Sequence, residues 1–400
     1  MTAHPRPRPR RAYLHGVLIG LGVWAILALL FTAGSFRTFD LKLLDMRLRL
    51  RGEQPGNDRI ALVEIDDATI GAYGRWPIPR DTYALLLTVV EEAGAYAVGF
   101  DLLFLGEDST DPRFDPLLAQ VTGSYDNVVH AVGFTTGEPT SLGASITSEA
   151  GEMLRRHAGE TGAVKAPTAM SVALPYPELL SAASGLGHVM VAVDPDGVVR
   201  RVPLFVNYEG RLYPSLVMRL ATMQTGGGAP RVRPDPRGFA VENPADGAVW
   251  RIPVDDEGAT SIDFAGDRDS FPRAYSALDV LRWYRGGQED RLHEAFAGRF
   301  VLIGNTAVGE VATDVDATPF NTVTPLLFVH ANALNARAMP HLLERLEKRG
   351  YSFVSLDEAL GVLDEELDRS IGWRDVDADE PSVRLEEDIA RSASGDDPPD

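Results

Sequence analysis

Three carboxylates and one guanidinium fall close together in the first third of the chain. They are Asp66, Asp67 and Asp101, with Arg80 between them. Asp66 and Asp67 close the apolar run RIALVEID and the residue after it, and Asp101 sits inside a second run, AYAVGFDLLF. Arg80 opens RDTYALLLTVVEEA, which reads as the helix joining the two. In a parallel sheet the groups at carboxyl strand ends face one crevice, where ligands bind. Two readings of the four charges stand. One is a polar pocket for a small ligand or a cation, with Trp76 on its wall. The other is an Asp–Arg brace that holds the Trp76-Pro-Ile-Pro loop, since buried ion pairs are often structural. Further along, Arg200 and Arg201 follow an Asp194-Pro-Asp-Gly197 turn. Alternation in a strand places one on each face, so one reaches a pocket or a carboxylate and the other is solvated.

Asp314 and Asp316 form a D-x-D that suits Ca²⁺ or Mg²⁺, but it lacks the glycine and distal glutamate of an EF-hand loop. A capped loop is the competing reading. Gly304-Asn-Thr-Ala-Val-Gly309 has no Lys-Ser/Thr after its second glycine, so it is no phosphate loop. There is no G-x-S-x-G elbow, and Gly143-Ala-Ser-Ile fails at its last position. The chain has no cysteine, which excludes disulfides, cysteine nucleophiles and thiolate metal sites. No cofactor is expected.

The elements that must position these groups read as α/β. Residues 59–66, helix 80–93 and strand 95–104 make a βαβ unit, which gives parallel strands. Strands are expected at 127–134, 187–193, 199–206, 249–253, 261–264 and 299–304. The second and third of these are joined as a hairpin by the Asp194–Gly197 turn. Helices are expected at 111–120, 148–157, 214–224, 276–284 (with Ser276 as cap) and from 329. The fold class is therefore a mixed, largely parallel sheet with flanking helices.

The net charge is −20, too acidic overall for nucleic-acid binding, and −12 of it lies in residues 357–400. Residues 1–11 carry four arginines and no acid. Leu14–Gly34 holds no Asp, Glu, Lys or Arg, and ~20 helical residues cross the ~30 Å hydrocarbon core. A transmembrane helix at 14–34 is expected, with the basic start (1–13) cytoplasmic and everything beyond Phe36 outside. A cleaved signal peptide is the alternative. Phe36–Arg51 reads as an amphipathic helix continuing away from the membrane.

Several segments, in order, resemble the second type of CHASE domain, an extracytoplasmic sensory module of bacterial receptors. They are VEIDDATI…GRWPIPR (63–80), AVGFDLLF (97–104), D-x-D-G-x-x-R-R (194–201), SALDVL (276–281), GRFVLIGNTAVGEVATDVDATPF (298–320) and VHANALNA (329–336). The resemblance spans about 36–338 and implies an extracytoplasmic ligand sensor; with the one apolar span at 14–34, the chain is expected to be a single-pass inner-membrane protein. Its partners would be a small-molecule or ion ligand, the membrane, and a homodimer mate or signalling protein. The chain departs from such receptors at Pro325-Leu326, where they have Pro-Gly, and in having no further membrane helices or cytoplasmic output domain. Residues 340–371 are similar to the last helix–strand–helix of polysaccharide deacetylases, a part without catalytic groups. No two of the eight histidines lie four apart, as that metal signature requires. Residues 374–400 are acidic, with little to bury, and read as disordered. The alternatives to a sensor are a cell-envelope enzyme using paired carboxylates on a carbohydrate polymer, and a truncated receptor.

Overall fold

A computed structural model describes residues 10–32, 35–137, 146–159, 164–223, 230–236, 238–242, 249–266, 270–307, 314–315 and 324–325. The chain begins with helices α1 (Arg10–Thr32) and α2 (Ser35–Arg51) and then enters strand β1 (Ile60–Ile65). Next come α3 (Asp67–Tyr73), α4 (Arg80–Glu92), β2 (Ala97–Asp101), α5 (Phe114–Gly123) and β3 (Val128–Thr135). The middle of the chain holds α6 (Ser148–Arg155), β4 (Ser171–Ala173), α7 (Pro177–Ala182), β5 (Gly185–His188), β6 (Ala192–Val193) and β7 (Val199–Pro203). Then follow β8 (Phe205–Tyr208), β9 (Arg211–Pro214), α8 (Leu216–Ala221), β10 (Arg231–Asp235), β11 (Gly238–Glu242) and β12 (Val249–Pro253). The last are β13 (Ala259–Ser261), β14 (Ala274–Ser276), α9 (Ala277–Arg285), α10 (Glu289–Phe296), β15 (Phe300–Asn305), β16 (Asp314–Val315) and β17 (Thr324–Pro325).

The main sheet runs β14-β1-β15-β2-β3, with β5 and β4 also paired to β3. All these pairings are parallel except β3–β4. The expected βαβ unit is present, but its strands are not neighbours: β15, from more than 190 residues later, lies between β1 and β2. The reason is apolar content. Phe300 to Gly304 are buried throughout, and such a strand belongs in the centre of a sheet covered on both faces. On one face Val63, Ile65, Phe100 and Ile303 pack under α4, α5, α9 and α10. On the other, Ile60, Leu62 and Leu302 meet Leu216 and Leu220 of α8, with Phe239 and Trp250 from the three-stranded β10-β11-β12 sheet. The start of α8 lies so close to β5 that a Cβ on Gly187 would stand 2.4 Å from the Leu216 Cα.

Other expectations shift by a few residues. Helix 111–120 becomes α5, three residues later, and helix 214–224 contracts to α8. A short helix, α3, not expected from the sequence, ends shortly before the Trp76-Pro-Ile-Pro loop, and the stretch after 206 folds as a second hairpin, β8–β9. The helix from 329, the appendage at 340–371 and the tail at 374–400 lie outside the described residues.

Ten large apolar side chains of α1, between Leu14 and Leu29, are each 46–68% exposed. Among the described residues, no helix is long and apolar enough to cross a membrane. The span read over 14–34 therefore rests on the sequence, which α1 covers from Arg10 to Thr32 as one helix.

Candidate functional site

The register sets the carboxyl edge of the sheet. Glu64 lies opposite Ser276 and Gly304, Ile65 opposite Asn305, and Gly304 opposite Asp101. The strand ends thus bring Asp66, Asp101, Asn305 and Ser276 to one edge. Asp66 leaves β1 with extended backbone and caps α3. Its Oδ1 accepts from the Thr69 amide at 2.9 Å, from Thr69 Oγ1 at 2.6 Å and from Ser276 Oγ at 3.0 Å. An aspartate is favoured at this position because its oxygen takes an amide left over at the helix start. The Ser276 hydroxyl is accordingly spent on Asp66. The cap expected of it on α9 is not made. Asp67 is exposed in the first turn of α3, where a negative charge suits the helix dipole, and Asp101 is half-buried.

Arg80 belongs to a separate arrangement. Its ion partner is Asp115, in the first turn of α5, and each side chain is 8% exposed. The guanidinium also donates to the carbonyls of Leu105 (3.2 Å) and Gly106 (2.9 Å), and lies 4.4 Å from the centre of the Tyr176 ring. The Arg80 amide donates to Asp108 Oδ2 at 2.9 Å, and the Tyr176 hydroxyl donates to the Asp115 carbonyl at 2.8 Å. Burial raises the Tyr176 hydroxyl well above the usual phenol range, which keeps it a donor. Asp108 Oδ1 accepts from the amides of Thr110 and Asp111. Trp76 is half-buried against the same core and is followed by a cis peptide to Pro77. This is a closed brace on the loops around 75–80 and 105–111. Asp108 and Asp115 escape a reading of the sequence. Asp108-Ser-Thr-Asp carries an Asx-turn signal, but nothing local links Asp115 to an arginine 35 residues away.

Arg200 and Arg201 depart from expectation. They do not divide between a pocket and solvent, because both turn onto Asp194, whose side chain is wholly buried. Arg200 Nη1 meets Asp194 at 2.9 Å and Asp196 at 2.8 Å. Its Nε and Nη2 grip Asp45 of α2 at 2.6 and 2.7 Å, a bidentate pair of the kind that fixes geometry as well as charge. Arg201 meets Asp194 at 2.7 Å and pairs with Asp255. The expected hairpin holds the group together, with Gly197 in the left-handed conformation and the Gly197 amide on the Asp194 carbonyl. The Asp196 carboxyl is held below its usual range by its bonds to Arg200. For Asp255, burial pulls upward, but the Ala259 amide and Arg201 outweigh it and the net direction is down. Leu44 and Leu48 of α2 pack beside the cluster on Val199, Val202, Ile262 and Phe264. Sequence reasoning finds both arginines and the turn but not Asp45, which lies 155 residues from Arg200.

Of the D-x-D pair, Asp314 falls in β16, and Asp316 lies outside the described residues. Among the described residues, no three His, Asp or Glu side chains gather as a metal site. Buried His130 stacks on Phe100 at 4.8 Å, with Nε2 3.1 Å from the Thr122 hydroxyl. Burial lowers it to about 3, so it stays neutral and belongs to the core.

The sheet, its two covered faces and its polar edge define a mixed α/β domain. A family model of the CHASE2 domain matches residues 21–362, and the chain belongs to that family of extracytoplasmic sensory domains. The match begins inside the apolar segment of α1 and runs through most of 340–371. No curated protein and no solved structure matches the chain.

Proposed function

We propose that the protein is a membrane-anchored, extracytoplasmic ligand sensor without catalytic activity of its own, signalling through another protein. The observation that carries this is the grip of Arg200 on Asp45, which ties the sensory body to the helix that follows α1. The support for the anchor is in the sequence: Leu14–Gly34 is a run of 21 residues without Asp, Glu, Lys or Arg, and ~20 helical residues at ~1.5 Å each match the ~30 Å core of a bilayer. Exposed apolar side chains along α1 have a natural solvent there, and the arginines before Leu14 favour a cytoplasmic start. An enzyme acting through paired carboxylates is less well supported. Arg80 is locked in a brace, and the Asp66 oxygen is engaged by three donors.

The ligand edge is assigned to Asp67, Asp101 and the second carboxylate oxygen of Asp66, whose Oδ1 is taken by Thr69 and Ser276, beside Asn305. Carboxylates there suit a small ligand rich in N–H donors, or a cation. Trp76 and Arg80 shape the neighbouring loop, and Arg200 and Arg201 act through α2. Thermal unfolding of the full chain in detergent, screened against amines, amino acids and divalent cations, tests the assignment. A ligand at 100 times its Kd stabilises by about 2.7 kcal/mol. Asp101→Asn should remove that shift, measured against the variant's own unliganded midpoint. A shift that survives in Asp101→Asn, or a screen in which no class moves the midpoint, would count against the edge as the site.

A further inference from the structure

Helix α2 has two unlike faces. Leu44 and Leu48 pack on the body, Asp45 is held by Arg200, and Arg51 pairs with Asp263 at 2.6 Å. On the opposite side Phe39, Leu43, Met46 and Leu50 are 36–77% exposed. Their spacing of four, three and four residues makes one stripe on a helix. At ~100° per residue, Lys42 and Arg49 lie about 60–80° to one side of the stripe and Arg47 about 80° to the other. All three are exposed, against one exposed carboxylate, Asp40. In a chain of net charge −20 this is a local cationic face.

We propose that the outward face of α2 lies on a bilayer surface containing anionic lipid. The inference rests on the anchor reading above, which holds α2 beside the membrane. An apolar stripe flanked by basic residues is what an interfacial helix presents. The stripe enters the acyl boundary, while lysine and arginine reach back to the headgroups. Charge decides against the other natural occupant, a second copy. Two α2 helices packed in parallel through this stripe would set Lys42 of each against Arg47 of the other, like charges at the positions that normally carry opposite ones. The bound face would also fix how the sensory body sits on the bilayer, because Asp45 and Leu48 clamp the other face to it.

The absence of cysteine makes the test direct. Met46→Cys is labelled with an environment-sensitive dye in the full chain. The protein is then reconstituted into vesicles of phosphatidylcholine with or without phosphatidylglycerol. Nitroxide-labelled lipid should quench the dye in the anionic vesicles, and much less in the neutral ones or at high salt. Each basic residue near an anionic surface is worth about 1 kcal/mol, close to a fivefold factor. Adding Lys42→Gln and Arg47→Gln should therefore lower the surface-bound ratio about 25-fold. Equal quenching by aqueous iodide in both vesicle types overturns the proposal. So does a dye shielded even in detergent, together with ready disulfide formation between two unlabelled Met46→Cys chains, which would show a second copy on the stripe. A separate label at Leu21→Cys reports the anchor alone. Lipid quenching at 21 with water exposure at 46 leaves the anchor standing and sinks the surface contact. Water exposure at 21 sinks the anchor reading, whatever residue 46 reports.

Discussion

Arg200→Ala should strongly destabilise the sensory body, and the geometry sets the size of the effect. The Arg200 side chain is 2% exposed and meets three carboxylates, with Asp45 and Asp196 at 14–15% exposure and Asp194 at 0%. Its loss leaves Asp194 with Arg201 but strips Asp45 and Asp196 of their cation. Breaking such a buried pair costs about 3–5 kcal/mol. For a body of this size that is about 6–20 °C in the unfolding midpoint, at about 2–4 °C per kcal/mol. Asp45→Asn removes one charge-assisted contact and leaves Arg200 two carboxylates, so its cost should be smaller, about 1.5–3 kcal/mol. Circular dichroism of the full chain in detergent, followed on heating, measures both. The two losses should also fall short of additive in the double variant, since they share one contact. Little of the effect should be screened by salt, because the groups are buried. An Arg200→Ala midpoint within about 2 °C of the parent would refute the network as a stabilising element. A large loss for Arg200→Ala with none for Asp45→Asn would show that the cluster holds the β6–β7 turn and not α2.

Arg80→Ala should cost about 3–5 kcal/mol, read by the same melting curves, because it leaves Asp115 buried without its cation. Gly187→Ala should cost about 1–3 kcal/mol or more by overpacking, since its Cβ meets the Leu216 backbone and not a movable side chain; a parent-like melt would mean that α8 shifts freely. Burial lifts the Glu91 carboxyl to about 7, above the ~4.3 of an unfolded chain. The folded state then holds the extra proton between those values, so this group lowers stability as pH rises from ~4.3 towards 7. Glu91→Gln should raise the midpoint at about pH 8 more than at about pH 4, on either side of that window, and equal shifts at both would contradict the assignment. Asp196, held low by Arg200, works in the opposite sense. Its contribution is complete above the unfolded value of ~3.9 and disappears as pH falls through the folded one, so Asp196→Asn should flatten the acid limb of the stability curve. A reporter fused after residue 338 should be active outside the cytoplasm, and activity of a cytoplasm-only reporter there would reverse the proposed topology.

Local signals in the sequence carry far, and long-range pairing does not. Residues 249–253 are a strand with the boundaries expected, helix 80–93 ends one residue early, and the Asp194–Gly197 turn makes its hairpin. Periodicity, glycine at φ > 0 and aspartate in turns are properties of neighbouring residues, so they are readable along the chain. What periodicity does not encode is which strand lies beside which. β15 separates β1 from β2, so Asp66 and Asp101 are next-but-one strand ends and not adjacent ones. For the same reason the partners of Arg80 are not the three carboxylates that the sequence places around it. The carboxylate that reaches it comes from α5, and sequence distance says nothing of that. Arg200 and Arg201 read as alternating in a regular strand. The tight hairpin beside them supplies Asp194 between the two guanidiniums, which draws both to one buried carboxylate.

The connectivity also bears on how an event at the proposed ligand edge could reach α2 and, through it, the proposed anchor. α2 leads into β1 at its amino end, where the Gln54 amide bonds the Ala265 carbonyl and the Gly56 amide bonds that of Ser270. Asp66 lies at the other end of β1, six residues of strand away, about 20 Å at ~3.3 Å each. β1 is buried along its whole length between β14 and β15, so it is a poor candidate for bending. A ligand at the carboxyl edge can act on α2 along β1 only by moving the sheet as a unit. The second link is different in kind. β6 and β7 are short, exposed at Val193, and joined to α2 by charge-assisted contacts of Arg200 with Asp45 at 2.6 and 2.7 Å, whose strength depends steeply on geometry. A small rotation of the turn would cost Arg200 its bidentate hold on Asp45 while Asp194 and Asp196 kept it satisfied. That makes the Arg200–Asp45 contact the place where two arrangements of α2 against the body can differ with the least disturbance to the core.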